Sequence, residues 1–137
     1  HNYVMGILAS NEWREGWLDE GFTSFQTTLF GMTQQSGYDE DPADDQFLTG
    51  MDLDGISEPA SLVGDKYRDF ISYSISIYSR GEMFFHRLRY IVGDDVMRRI
   101  LRTYYERWKL KHVDEAAFRE VAEEVVARVF QNFCVGK

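Results

Sequence analysis

Residues 1–22 read HNYVMGILASNEWREGWLDEGF, and the chain continues through Thr23-Ser24-Phe25 to Leu29 and Met32. Leu18, Phe22, Phe25, Leu29 and Met32 recur at helical spacing, which predicts a helix from before Glu20 to about Ser36 with Gly37 behind it as the stop. Ala9-Ser10-Asn11-Glu12 carries the Ser and Asn that favour a turn, so residues 1–8 belong to a separate element. His1 and Glu20, two metal-ligating residue types, stand with eighteen residues between them.

Further along, the pattern is again helical. Phe84, Leu88 and Ile91 mark one side of a helix from Tyr78 to Val92. After Gly93, Asp94 is a candidate N-cap for a helix through Lys109, with Val96, Ile100, Leu101, Tyr104 and Trp108 inward. Asp114 caps the last helix, with Val113 and Phe118 placed as a hydrophobic staple and Val121, Ala122, Val125 and Val129 continuing the apolar stripe. Between these blocks, residues 38–72 hold the acidic cluster Asp39, Glu40, Asp41, Asp44 and Asp45 and both prolines, Pro42 and Pro59. They read as a long irregular segment with one short helix. Asp52-Leu53-Asp54-Gly55 lacks the remaining ligand spacing of a calcium loop and reads as a solvated loop. The expected fold is mainly α, with four principal helices and no convincing strand.

Composition narrows the function. A chain of 137 residues, 44% hydrophobic and 15% aromatic, can bury a core and is not a disordered segment. A net charge of -8 argues against a nucleic-acid surface. No apolar run reaches the length of a membrane span, and the lone Cys134 leaves the redox compartment open.

The run Trp13…Trp17-Leu18-Asp19-Glu20-Gly21-Phe22, with eighteen residues between His1 and its Glu20, resembles the tail of the zinc signature of gluzincin aminopeptidases of the membrane alanyl aminopeptidase type. In that family a His-Glu-x-x-His helix supplies two histidines and a Glu after eighteen residues completes the site. The resemblance makes His1 the second histidine and Glu20 the third ligand of a zinc ion. It puts the first histidine and the general-base glutamate four and three residues before His1. The chain, beginning His-Asn-Tyr-Val, is thus expected to be a single piece over residues 1–137, the C-terminal part of a metallopeptidase catalytic domain and a helical subdomain of a thermolysin-like fold. Met5 and Gly6 stand where a Gly-Asn pair is common in the family, which leaves subfamily and substrate preference open.

Such a site has a clear chemical logic. Three protein ligands leave the fourth zinc position to water or substrate, and a single carboxylate leaves the ion cationic enough to acidify that water. Asp19 lies about 100° round the helix from Glu20 and suits a local hydrogen-bonding role. A second resemblance lies at Tyr73-Ser-Ile-Ser-Ile-Tyr78-Ser79-Arg80-Gly81, where the family places a Tyr-x-x-Gly opening a helix beside the metal. It implies Tyr78 as the catalytic oxyanion donor, since a neutral phenol donates a hydrogen bond to developing negative charge. Tyr73 fits a second tyrosine found five residues earlier, and Gly81 would permit close helix packing.

The implied parent is a zinc peptidase acting on peptide substrates, an aminopeptidase by resemblance. The piece alone is expected to bind zinc weakly and to hydrolyse nothing, with an exposed apolar patch near His1 and the Glu20 helix that a second copy could cover. A pseudo-peptidase and a helical interaction module stay open beside it. His86 reads as a hydrogen-bonded structural histidine, His112 as an exposed connector residue and Cys134 as a small apolar one.

Overall fold

The structure, a computed structural model, describes residues 2–35 and 42–135. Seven α-helices are described: α1 (Asn2–Leu8), α2 (Phe22–Gln34), α3 (Pro42–Leu53), α4 (Phe70–Ser74), α5 (Gly81–Val92), α6 (Asp94–Trp108) and α7 (Glu115–Val135). Two π-helical turns join them. Trp17–Gly21 runs without a break into α2, and Ile75–Arg80 fuses α4 to α5. No strand occurs among the described residues; Ser10 and Val113 form a single isolated bridge. The mainly α expectation agrees with this architecture.

An aromatic cluster holds the helices together. Phe85 is fully buried, with the rings of Phe22, Phe25 and Phe118 at 5.1, 5.5 and 5.4 Å. Tyr104 closes the cluster against Phe118 and Phe22. Thus α2, α5, α6 and α7 share one core, to which α1 adds Val4 and Leu8. Offset and edge-on ring pairs add specific attraction to the burial of these large side chains.

Several local expectations hold. Asp114 Oδ1 accepts the Ala117 amide at 2.8 Å, and Val113 and Phe118 are both buried in the core. Asn11 closes the turn after α1 by accepting the amides of Arg14 and Glu15 on its carbonyl. Others are corrected. Residues 38–72 are less irregular than composition suggested, because α3 is twelve residues long and buries Leu48 and Met51. Pro42 begins that helix, a position where a missing N–H costs nothing. Tyr78 does not open its helix. The helical run starts at Phe70, where Asp69 Oδ1 accepts the Ser72 amide at 2.7 Å and caps it. Asp94 is the first residue of α6, not its cap, and accepts a bond from Arg89 Nε at 2.7 Å. Gly93 precedes it with φ 83°, a conformation that needs glycine. α2 ends at Gln34, and Gly37 with Asp39, Glu40 and Asp41 lies outside the described residues.

The inward face of α5 is also shifted. Phe84 and Ile91, expected inside, are exposed, while Met83, Phe85 and His86 are buried. Counting from Gly81 explains it: residues 81, 85, 88 and 92 fall on one face at helical spacing. All four are buried or packed against the core. A glycine adds nothing to an apolar count, so the true phase was hidden.

A candidate active site where two π-helical turns cross

Glu20 and Tyr78 sit fifty-eight residues apart in sequence, each inside a π-helical turn. The two turns cross at Gly21 and Gly81. A Cβ on Gly21 would stand 2.6 Å from the Gly81 Cα and 2.8 Å from the Ile77 carbonyl oxygen. A Cβ on Gly81 would meet the Gly21 Cα at 3.0 Å. No side chain fits between the backbones, so glycine at both positions sets how close the turns come. π-turns insert one residue into a helix and concentrate at functional sites. Here they bring Glu20, just before Gly21, and Tyr78, three residues before Gly81, toward one another.

The result is a contact between the two candidates. The Tyr78 hydroxyl donates to the Glu20 carboxylate. Burial first, then the hydrogen bond and charge of Glu20, push the Tyr78 phenol well above its ordinary value, so it keeps its proton across the neutral range. Tyr78 as a residue is 38% exposed, so the side chain that donates to Glu20 is also partly accessible. Tyr73, in α4, feels the same carboxylates: burial, then Glu12, Glu20 and Asp19, raise its phenol too. Its ring packs edge-on against Tyr67 at 5.4 Å.

Asp19 and Glu20 are both buried in the Trp17–Gly21 turn. Burial pushes the Asp19 carboxyl up to about 6; Glu20 and Glu12 act in the same direction, and the Ser10 hydroxyl opposes them. Two carboxylates buried side by side are costly in the absence of positive charge. This donor chemistry fits a cation, and the Glu20 carboxylate is an oxygen donor of the kind zinc accepts. Among the described residues no three His, Cys, Asp or Glu side chains gather to hold a metal ion. His1 lies outside the described residues.

The remaining histidines are placed elsewhere. His86 is buried on α5 with Nε2 3.4 Å from Glu82 Oε1 and its ring 4.9 Å from Phe25, which is a structural role. His112 is exposed, with Nδ1 3.3 Å from the Ala9 carbonyl oxygen. Sequence reasoning passed over two residues of the site region. Arg80 reaches from the Tyr78 turn to Asp52 Oδ1 at 2.9 Å, a partner twenty-eight residues away that no local pattern reveals. Glu58 accepts the Arg68 amide and the Ser72 hydroxyl, tying the segment after α3 to the start of the Tyr78-bearing run.

Comparison with known proteins gives the family. A family model described as the peptidase family M1 domain matches residues 1–135. Among solved structures, the chain is similar to a mutant of a two-domain M1 zinc metallopeptidase bound to L-arginine, at 24% sequence identity and a TM-score of 0.63. The match covers 83% of this chain and 25% of that one, so the chain spans a quarter of the length of the structure it resembles. A comparison with curated proteins gives no match. With nearly every residue inside the family model, the chain belongs to the peptidase family M1 domain.

Proposed function

We propose that residues 1–137 form part of the catalytic domain of a zinc-dependent M1 metallopeptidase that removes N-terminal residues from peptides. The observation that carries this reading is the Tyr78 hydroxyl held at the Glu20 carboxylate across the Gly21–Gly81 crossing. In the proposed site Glu20 and His1 hold the zinc, with one more histidine from the family signature. When bound, zinc supplies a Lewis acid that polarises the scissile carbonyl and lowers the pKa of a bound water.

The chain's own residues do the rest. Glu20 fixes the Tyr78 side chain by accepting from its hydroxyl. Tyr78 holds a proton at Oη for the tetrahedral oxyanion, and its raised pKa keeps that proton in place at working pH. Trp17, whose Cα lies beside Gly81, stacks on Phe85 with ring centroids 5.8 Å apart, an apolar contact next to the crossing. A peptide is the proposed substrate, and it would lie against the accessible part of Tyr78. No helix of the described residues is long and apolar enough to cross a membrane. Met5, Trp13 and Phe30 are exposed on and around the Glu20-bearing helix, and a second copy covering this surface is the proposed partner of the isolated chain.

Residues 1–137 alone are expected to bind zinc weakly and hydrolyse nothing, because they contain no His-Glu-x-x-His run to supply the further histidine and the general-base glutamate. The test uses the complete M1 domain. Fluorogenic amino-acid amides with a free amine should be cleaved, N-acetylated versions of the same compounds should not, and a chelator should abolish turnover. Equal cleavage of both forms would replace the aminopeptidase reading with an endopeptidase one. Stoichiometric zinc without turnover on any peptide would point to a pseudo-peptidase.

A further inference from the structure

The guanidinium of Arg80 is anchored on the side of the π-turn away from Tyr78. Two residues apart on a helical run, the two side chains point to roughly opposite sides, Tyr78 toward Glu20 and Arg80 toward Asp52 and Ser57. Arg80 Nη2 donates to Asp52 Oδ1 at 2.9 Å and to Ser57 Oγ at 2.8 Å, and Nη1 lies 3.4 Å from Asp52 Oδ2. The Arg80 side chain is only 24% exposed, unlike the Arg98–Asp95 pair of α6. A planar fork engaging both oxygens of one carboxylate fixes orientation as well as distance. One turn earlier, Ser76 Oγ donates to the Glu58 carbonyl at 3.2 Å, so the same turn is tied twice to residues 52–58.

A π-turn of this kind gains from such ties. It departs from regular α-helical hydrogen bonding, and its register holds only where surrounding contacts favour it over the α form. The Gly21–Gly81 crossing constrains it on the inner side. Arg80 and Ser76 constrain it on the outer side. We infer that Arg80, through Asp52 and Ser57, is a positioning residue that holds the Ile75–Arg80 turn in π register and thereby aims the Tyr78 hydroxyl at the reacting centre. The inference rests on the proposed role of Tyr78, but the clamp itself is a property of the turn.

The experiment has two arms on the complete M1 domain carrying Arg80→Met, Arg80→Lys or Asp52→Asn. In the first, amide hydrogen exchange of residues 75–80 is followed in zinc-free protein. Arg80→Met and Asp52→Asn should speed exchange there at least about tenfold while residues 17–21 are unchanged, and Arg80→Lys should fall between because an ammonium cannot span Asp52 and Ser57 as a fork. In the second, kcat should fall about ten- to a hundredfold with KM within twofold, the cost of a misplacement on the order of an ångström. In a Tyr78→Phe background the same substitutions should cost nothing further. Unchanged exchange in residues 75–80 would overturn the clamp. Faster exchange with an equal kcat loss in both backgrounds would overturn its link to Tyr78. A Tyr78→Phe variant with normal kcat would sink the catalytic reading instead, while the exchange arm still decides whether Arg80 holds the turn. Because Asp52 pairs with Arg80 on the side of the turn away from Tyr78, its variant keeps the test informative if Arg80→Met folds poorly.

Discussion

Gly21→Ala should destabilise the domain by about 2–3 kcal/mol, the scale of a forced overpacking that cannot be relieved by a side-chain rotation. The new methyl would stand 2.6 Å from the Gly81 Cα and 2.7 Å from its carbonyl carbon, so a backbone must move. The ~1 kcal/mol that alanine gains over glycine as a helix former offsets only part of this. Gly50→Ala is the matched control. It lies in α3 with no heavy atom within 4 Å of the added methyl and should be neutral or slightly stabilising. Urea unfolding of both variants separates the cases. A Gly21→Ala protein as stable as the parent would mean that the turns do not cross as closely as described.

The second large effect is on rate. Tyr78→Phe in the complete domain should lower kcat about a hundred- to a thousandfold, as expected for deletion of one oxyanion donor used in the transition state. Folding should be unaffected, because the phenyl ring keeps its packing and the hydroxyl's partner, Glu20, is the proposed metal ligand. KM should change little, since the donor acts mainly on charge that develops during reaction. Steady-state kinetics on an amino-acid amide reads both quantities. A kcat within threefold of the parent would leave Tyr78 as a packing residue.

Much of the fold was legible because helical periodicity needs only local information. Leu18, Phe22 and Phe25 announced the Glu20 helix, and Val113, Asp114 and Phe118 announced the start of α7. α3 was harder to see, since Pro42 and a run of aspartates look like loop composition until Pro is placed at a helix start. The π-turns carry no sequence signal of their own. They depend on the Gly21–Gly81 crossing, which joins segments sixty residues apart. The phase of α5 was hidden instead by Gly81, which adds nothing to an apolar count, so that Phe85 and not Phe84 faces inward. Of the site, Glu20 and Tyr78 were legible through family resemblance, and their contact was not. The Arg80–Asp52–Ser57 fork was invisible because its members are chosen by three-dimensional proximity.

The central claim is that Glu20 and Tyr78 serve one centre in different roles, as metal ligand and oxyanion donor. Metal analysis paired with kcat, on Glu20→Gln and Tyr78→Phe in the complete domain, tests it most directly. Glu20→Gln should lose zinc and rate together, since an amide is a poor substitute for a carboxylate ligand. Tyr78→Phe should keep stoichiometric zinc and lose rate alone. Full zinc occupancy in Glu20→Gln, or loss of zinc in Tyr78→Phe, would contradict the account.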